Sequence, residues 1–118
     1  ARHARALLAS DKDGAELAMI VDLARSDLGR VATPGSVRVR KARHLQRWPA
    51  VHHTVGVVEA RLAPGRTWVD LVRATFPPGS VTGAPKVRSL EVIDALEPVR
   101  RGLYCGAFGW VGFDGALD

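Results

Sequence analysis

Cysteine is nearly absent: Cys105 is the only one in 118 residues. An internal disulfide is therefore excluded, and a reducing, cytoplasmic setting with Cys105 as a buried free thiol is the expectation. No run approaches the roughly 18 apolar residues that a membrane helix needs, so no membrane partner is expected. The opening ARHARALL lacks the apolar core of a secretory leader. There is no Pro/Ser-rich tract, collagen period or internal repeat, which removes the low-complexity, fibrous and solenoid classes. The four histidines have no metal-like spacing, and a zinc site is not expected. What remains is globular in composition, 47% apolar and 25% charged, and about one domain long with no visible boundary. Such a chain buries about two-thirds of its unfolded surface, enough for a core but with little margin for missing pieces.

Acidic residues are missing from one stretch. Residues 31–50 contain none, yet hold Arg38, Arg40, Lys41, Arg43 and Arg47 beside Trp48, which accounts for the net charge of +5. Such a ribbon can follow a phosphate backbone, and a small basic nucleic-acid-binding module is the rival class that it suggests. No nucleic-acid motif accompanies it, so a solvated strand edge is expected instead, where positive charge discourages edge pairing. No nucleic-acid partner is expected.

Helix and strand signals alternate along the chain, an α+β pattern. Residues 11–29 predict one helix, with Asp11 as N-cap, Asp13 and Glu16 in its first turns and Gly29 as its stop. Its middle is apolar nearly all round, which predicts burial between layers. Asp13 and Glu16 are three apart and share a face. After a turn at Thr33-Pro34-Gly35, Val37 to Arg40 alternate as a short strand, and residues 50–61 as a stronger one. His53 falls on that strand's apolar face with Val51, Val55 and Val57, so its imidazole is expected to be buried. Pro64-Gly65 lead into a short helix from Trp68 to Thr75. FPPGSVTGAP is a loop, and KVRSLEVIDALEP an amphipathic helix that Ser80 or Thr82 would cap and Pro98 would end. YCGAFGWVGF reads as a final apolar strand, and Asp114-Gly115 as a hairpin turn without its return strand. With an opening residue other than Met, this predicts a chain truncated at both ends.

Three groups of residues carry chemistry. Asp13 and Glu16 offer hard carboxylate oxygens, which suit magnesium, an ion that takes one or two protein carboxylates and shares its remaining sites with water and an anionic substrate. His53 has a side chain whose pKa suits general acid or base work. The glycines of Gly79-Ser80-Val81-Thr82-Gly83, entering a helix, let an anion approach unpaired N–H groups. The GxxxxGK[ST] pattern of a P-loop is absent, since Lys86 follows Pro85. Together the three suit a small carboxylate substrate with a divalent metal.

At these residues the chain closely resembles the chorismate-utilising enzymes, the family of aminodeoxychorismate synthase component I and anthranilate synthase component I. The resemblance runs in order through DKDGAELAMIVDLARSDLGRV, PGSVRV, VHHTVGVVEARL, TFPPGSVTGAPKVRSLEVIDALEP and RRGLYCGAFGWVGFDGALD. It implies part of a large α+β fold, a β-sandwich with helices outside, with residues 1–118 as a partial chorismate-binding catalytic domain. It also implies magnesium-dependent amination of chorismate with ammonia from a glutamine amidotransferase subunit or domain.

Residue by residue, Glu16 matches the metal-binding glutamate and Asp13 an acidic residue behind it. His53 matches the histidine beside the departing hydroxyl, Ser80 a substrate-binding hydroxyl residue, and Tyr104 a tyrosine that meets a substrate carboxylate; Gly83 belongs to the same substrate loop. IVDLARSDLGR, Ala-Glu-Leu at 15–17, Ser80 in GSVTGAPK and YCGAFGW favour the aminodeoxychorismate branch over the anthranilate branch. Ser26 and Gly56 depart from the family's usual Asn and Ser, which predicts altered packing around the helix and strand. The segment that carries the aminodeoxychorismate branch's lysine, and those that carry the substrate arginine, the carboxylate loop and the second acidic pair, lie outside residues 1–118. This stretch by itself is therefore expected to be inactive.

Overall fold

The computed structural model describes residues 2–118 and has the element order α1 (Arg2–Ala9), α2 (Asp11–Gly29), β1 (Arg38–Arg47), β2 (His52–Glu59), α3 (Trp68–Thr75), α4 (Gly79–Thr82) and α5 (Lys86–Leu96). It forms two compact units, one running to Thr75 and the other Phe76–Asp118. In the first unit the two strands pair antiparallel, and α1 and α2 pack against them.

Helix α2 spans the expected residues 11–29, but its cap is Ser10 rather than Asp11. Ser10, with extended φ and ψ, is the N-cap, and its hydroxyl accepts from Asp13 N at 3.2 Å. Asp11 and Asp13 then sit in the first turn, where the helix dipole favours negative charge. Before it lies α1, which the sequence pattern did not reveal. The α1–α2 corner is tied by Arg43 of β1, whose Nη2 donates to the carbonyls of Leu7 (2.6 Å) and Ser10 (3.1 Å). Gly14 makes room for that guanidinium, since a Cβ there would lie 2.7 Å from Arg43 Nη1. One member of the basic ribbon is thus a half-buried cap, and Arg40 pairs with Glu59 at 3.3 Å. Arg38, Lys41 and Arg47 are exposed along the strand, as an edge requires.

Strand β1 is longer than the four residues its alternation suggests. Two register shifts, between Val39 and Lys41 and between Lys41 and His44, insert extra residues that scramble the period-two pattern. Trp48 N donates to Val51 O at 2.9 Å to close the hairpin. Beyond the ladder, residues 31–36 are stitched to 61–63: Thr33 N donates to Arg61 O, Ala63 N to Val31 O, and Arg61 N to Ser36 Oγ.

Gly56 lies on the face of β2 that receives α2. A Cβ at this position would fall onto Val21 Cγ2 and within 3.7 Å of Leu17 Cδ1. His52, Thr54 and Val58 share the face of Gly56 and are half-buried, whereas His53, Val57 and Glu59 are exposed. The expected burial of His53 is therefore corrected. Apolarity marked both faces of this strand, and the packing of Leu17 and Val21 against Gly56 shows which one the helix covers.

Helix α2 is likewise not enclosed. Asp13, Gly14, Leu17, Ile20 and Val21 turn inward, while Ala15, Ala18 and Met19 face outward, with Met19 57% exposed. Buried apolar residues number only Ala4, Val31 and Ala74 among those described, so the expected core is not built within these residues. Helix α3 is fixed at its start by Asp70, whose carboxylate accepts from Thr67 N (2.9 Å), Thr67 Oγ1 (3.2 Å) and Arg66 Nη1 (3.3 Å).

In the second unit α4 is a single turn and α5 follows Pro85, with neither helix capped by a side chain. Ser80 and Thr82 thus do not cap α5 as expected; both lie in α4, and Thr82 Oγ1 donates back to Pro78 O. The expected strand from Tyr104 does not form. Turns and one bridge, Val111 to Leu117, replace it, and Phe108 and Phe113 are fully exposed. A strand needs a neighbour to satisfy its backbone, and the described residues supply only the short return beyond Asp114-Gly115, where Trp110 and Asp118 exchange hydrogen bonds. Cys105 is half-buried and free.

Two outcomes follow from this packing. Gly56→Ala should destabilise the full-length protein by about 1–3 kcal/mol through overpacking, read by thermal melting, with Val21→Ala restoring part of the loss. The Thr67 backbone hydrogen bond, seconded by the Thr67 hydroxyl and Arg66, holds the Asp70 carboxyl below the ordinary aspartate range. A lowered folded-state pKa means that its contribution to stability is complete above the unfolded value and disappears as the pH falls through the folded one. An NMR titration of Asp70 should accordingly show a midpoint below that of an unstructured aspartate, and Thr67→Ala should raise it.

Candidate functional site

Each candidate residue inherits its position from one element. Asp13 and Glu16 stand in the first turns of α2, a turn apart, with Asp13 half-buried and Glu16 facing out. Their shared face is thus split by the packing. The Glu16 carboxylate is 62% exposed, and Lys12 Nζ lies 3.9 Å from its Oε1, a distance at which the pair restrains it weakly. Among the described residues no group of three or more His, Cys, Asp or Glu side chains gathers as a metal cage. Hard oxygens from two carboxylates match what magnesium takes from a protein when a substrate and water complete its shell. In kind the two carboxylates are donors that such an ion takes, and the described residues bring no third one to them.

His53 projects from the face of β2 opposite Gly56, open to solvent among Val51 and Val57. No hydrogen bond or ion pair joins it to Glu16. Its neighbour His52 lies on the covered face, and its Nδ1 is buried without a partner. Sequence alternation could not tell the two apart.

In the second unit Ser80 is exposed on α4, and Gly83 closes that turn by donating its N–H to Gly79 O at 2.8 Å. At φ 119° and ψ −178° Gly83 adopts backbone that side chains rarely accept, and a Cβ would lie 2.8 Å from Ser89 Oγ. Glycine is required here. No side-chain hydrogen bond caps the start of α5 at Pro85.

Tyr104 is 72% exposed, with the Arg101 guanidinium 5.9 Å from its ring centroid. Arg101 also donates from Nη1 to Val81 O at 2.9 Å and from Nε to Glu97 Oε2 at 2.9 Å. The hydrogen bond from Arg101 holds the Glu97 carboxyl below its ordinary value, and the same bond pushes the guanidinium up. Arg43 and Arg101 are the residues that sequence reasoning passed over. Each lies in a run of basic side chains that looks like solvated charge, and only carbonyls distant in sequence reveal its use.

A family model described as chorismate binding enzyme matches residues 1–118. The chain belongs to that family. Aminodeoxychorismate synthase component 1 of Salmonella typhimurium is 52% identical over 117 residues, 99% of this chain and 26% of that protein. Anthranilate synthase component 1 of Mycobacterium bovis is 52% identical over 112 residues, 95% of this chain and 22% of that protein. The chain spans about a quarter of the length of these curated relatives. The crystal structure of anthranilate synthase component I from Streptococcus pneumoniae superposes with a TM-score of 0.85 at 41% identity, over 97% of this chain and 26% of that one. That of a putative 2,3-dihydroxybenzoate-specific isochorismate synthase from Bacillus anthracis gives 0.76 at 27% identity, over 98% and 31%. The mixed helix-and-strand architecture is thus a portion of the fold of the chorismate-utilising enzymes. No described helix is long and apolar enough to cross a membrane.

Proposed function

We propose that these residues form part of the site of an enzyme that aminates chorismate to 4-amino-4-deoxychorismate. The observation that carries this reading is the family match over residues 1–118, joined to 52% identity with an aminodeoxychorismate synthase component 1. The equal identity to an anthranilate synthase component 1 supports the second reading, conversion of chorismate to anthranilate. Both relatives are named as component 1, which favours a partner component; we read it as a glutamine amidotransferase that supplies ammonia. The single cysteine favours a cytoplasmic enzyme.

In this reading Glu16, with Asp13 behind it, holds magnesium, which when bound would neutralise a substrate carboxylate and fix the ring. Chorismate itself carries two carboxylates, so cationic and N–H-rich surroundings are needed. The Ser80 hydroxyl donates to the substrate, Gly83 lets the substrate approach the backbone closely, and the Tyr104 hydroxyl donates to a carboxylate oxygen. Hydroxide is a poor leaving group near neutral pH. His53, protonated, donates its ring N–H to the departing hydroxyl oxygen so that water leaves instead, an assistance worth typically 10²–10⁴-fold.

Two measurements test this in the full-length polypeptide. With chorismate, magnesium and ammonium, chromatography and mass analysis should find 4-amino-4-deoxychorismate; anthranilate as product would decide for the second reading, and no turnover would count against both. His53→Ala should lower kcat by roughly 10²–10⁴-fold, and Glu16→Gln should raise the magnesium concentration needed for half-maximal rate. Both side chains are exposed, so melting temperatures close to that of the parent should accompany these losses.

A further inference from the structure

We propose that Arg101 is a positioning residue for substrate binding, holding the Ser80–Gly83 turn and the Tyr104 ring in one arrangement. The inference rests on the reading above, in which Ser80, Gly83 and Tyr104 meet the substrate.

Three contacts, made in different directions by one planar group, carry it. Nη1 donates to the carbonyl of Val81, which lies between Ser80 and Gly83 and is 20 residues from Arg101. Nε and Nη2 together grip the Glu97 carboxylate, at 2.9 Å to Oε2 and 2.5 Å to Oε1, just past the end of α5. The guanidinium lies 5.9 Å from the Tyr104 ring centroid, within cation–π range. Glu97 therefore aims the fork, and the fork connects the two groups assigned to the substrate. The side chain is 26% exposed, less than its partner Glu97 at 37%.

Each held group needs such a tether. Helix α4 is one turn of four residues without a side-chain N-cap, and a single helical turn does not persist without outside support. Inside it, Gly83 N to Gly79 O and Thr82 Oγ1 to Pro78 O close the turn from within. The Arg101 bond to Val81 supplies an external restraint. Tyr104 is largely exposed, and the stacked guanidinium restricts a ring that would otherwise sample several rotamers. Ordering these groups before the substrate arrives removes that cost from binding. A lysine cannot replace the arrangement, since an ammonium lacks the fork that serves Glu97 and Val81 together.

A restraint of this kind acts on binding more than on chemistry, so it should show in KM rather than kcat. In the full-length enzyme with magnesium and ammonium, Arg101→Met should raise the chorismate KM by roughly tenfold while kcat stays within about threefold. Arg101→Lys should recover part of that loss, Glu97→Gln should shift KM the same way, and Arg100→Met should leave it unchanged. Ser80→Ala and Tyr104→Phe, measured alongside, should each raise KM. If those two raise KM and Arg101→Met does not, or if Arg101→Met lowers kcat at constant KM, the positioning role is overturned and the substrate assignment stands. If neither Ser80→Ala nor Tyr104→Phe moves KM, the substrate assignment fails and takes this proposal with it. Should Arg101→Met not fold, Arg101→Lys carries the same test with a smaller expected shift.

Discussion

Helix α2 meets the strand pair most closely at Gly56, where β2 carries no side chain. Val21 occupies the space where a Cβ would stand and Leu17 flanks it, so helix side chains rest on the strand's backbone. The rest of the first unit depends on that approach. It selects His52, Thr54 and Val58 as the covered face, and it leaves His53 facing away from the helix. At the other end of the same packing, the Arg43 guanidinium reaches over Gly14 to the carbonyls at the α1–α2 corner. Two glycines thus admit close contacts to one helix, and that helix carries the carboxylates proposed to hold magnesium.

This contact is strong but one-sided. Few side chains are fully buried, while Met19, Val51, Val57, Phe108 and Phe113 are exposed. Apolar surface of this extent left in water forgoes about 25 cal/mol per Å² that its burial would contribute. Local bonds carry much of the order instead: the Ser10 and Asp70 contacts at helix starts, the Ser36–Arg61 stitch and the Arg101 fork. Such bonds define directions well and contribute modestly to net stability, because water competes for the same groups.

The elements were legible where their signals are local. Trp68–Thr75 and the helix ended by Pro98 appear where turn residues and periodicity put them, since caps and prolines act within a few residues. The misreadings share a cause, which is that pattern shows apolarity but not what covers it. Helix α2 reads as enclosed and is not, His53 reads as buried and is exposed, and the last apolar run reads as a strand but finds only a short return segment to pair with among the described residues. Of the candidate site, the residue types and their order were legible, because five blocks in sequence carry the family. Arg43 and Arg101 were not, because their partners are carbonyls, and every residue has one.

Sequence alone determined the family, the mixed helix-and-strand character and most element positions, and it named the side chains proposed for the chemistry: two carboxylates, an imidazole, a hydroxyl loop and a phenol. Those follow from identity and short-range spacing, which the chain carries with it. Tertiary structure decided which face of β2 meets α2, where β1 slips its register, and which two arginines hold backbone rather than face water. These depend on steric exclusion and on hydrogen bonds between residues up to 36 positions apart, and such pairings are settled only when the chain is folded.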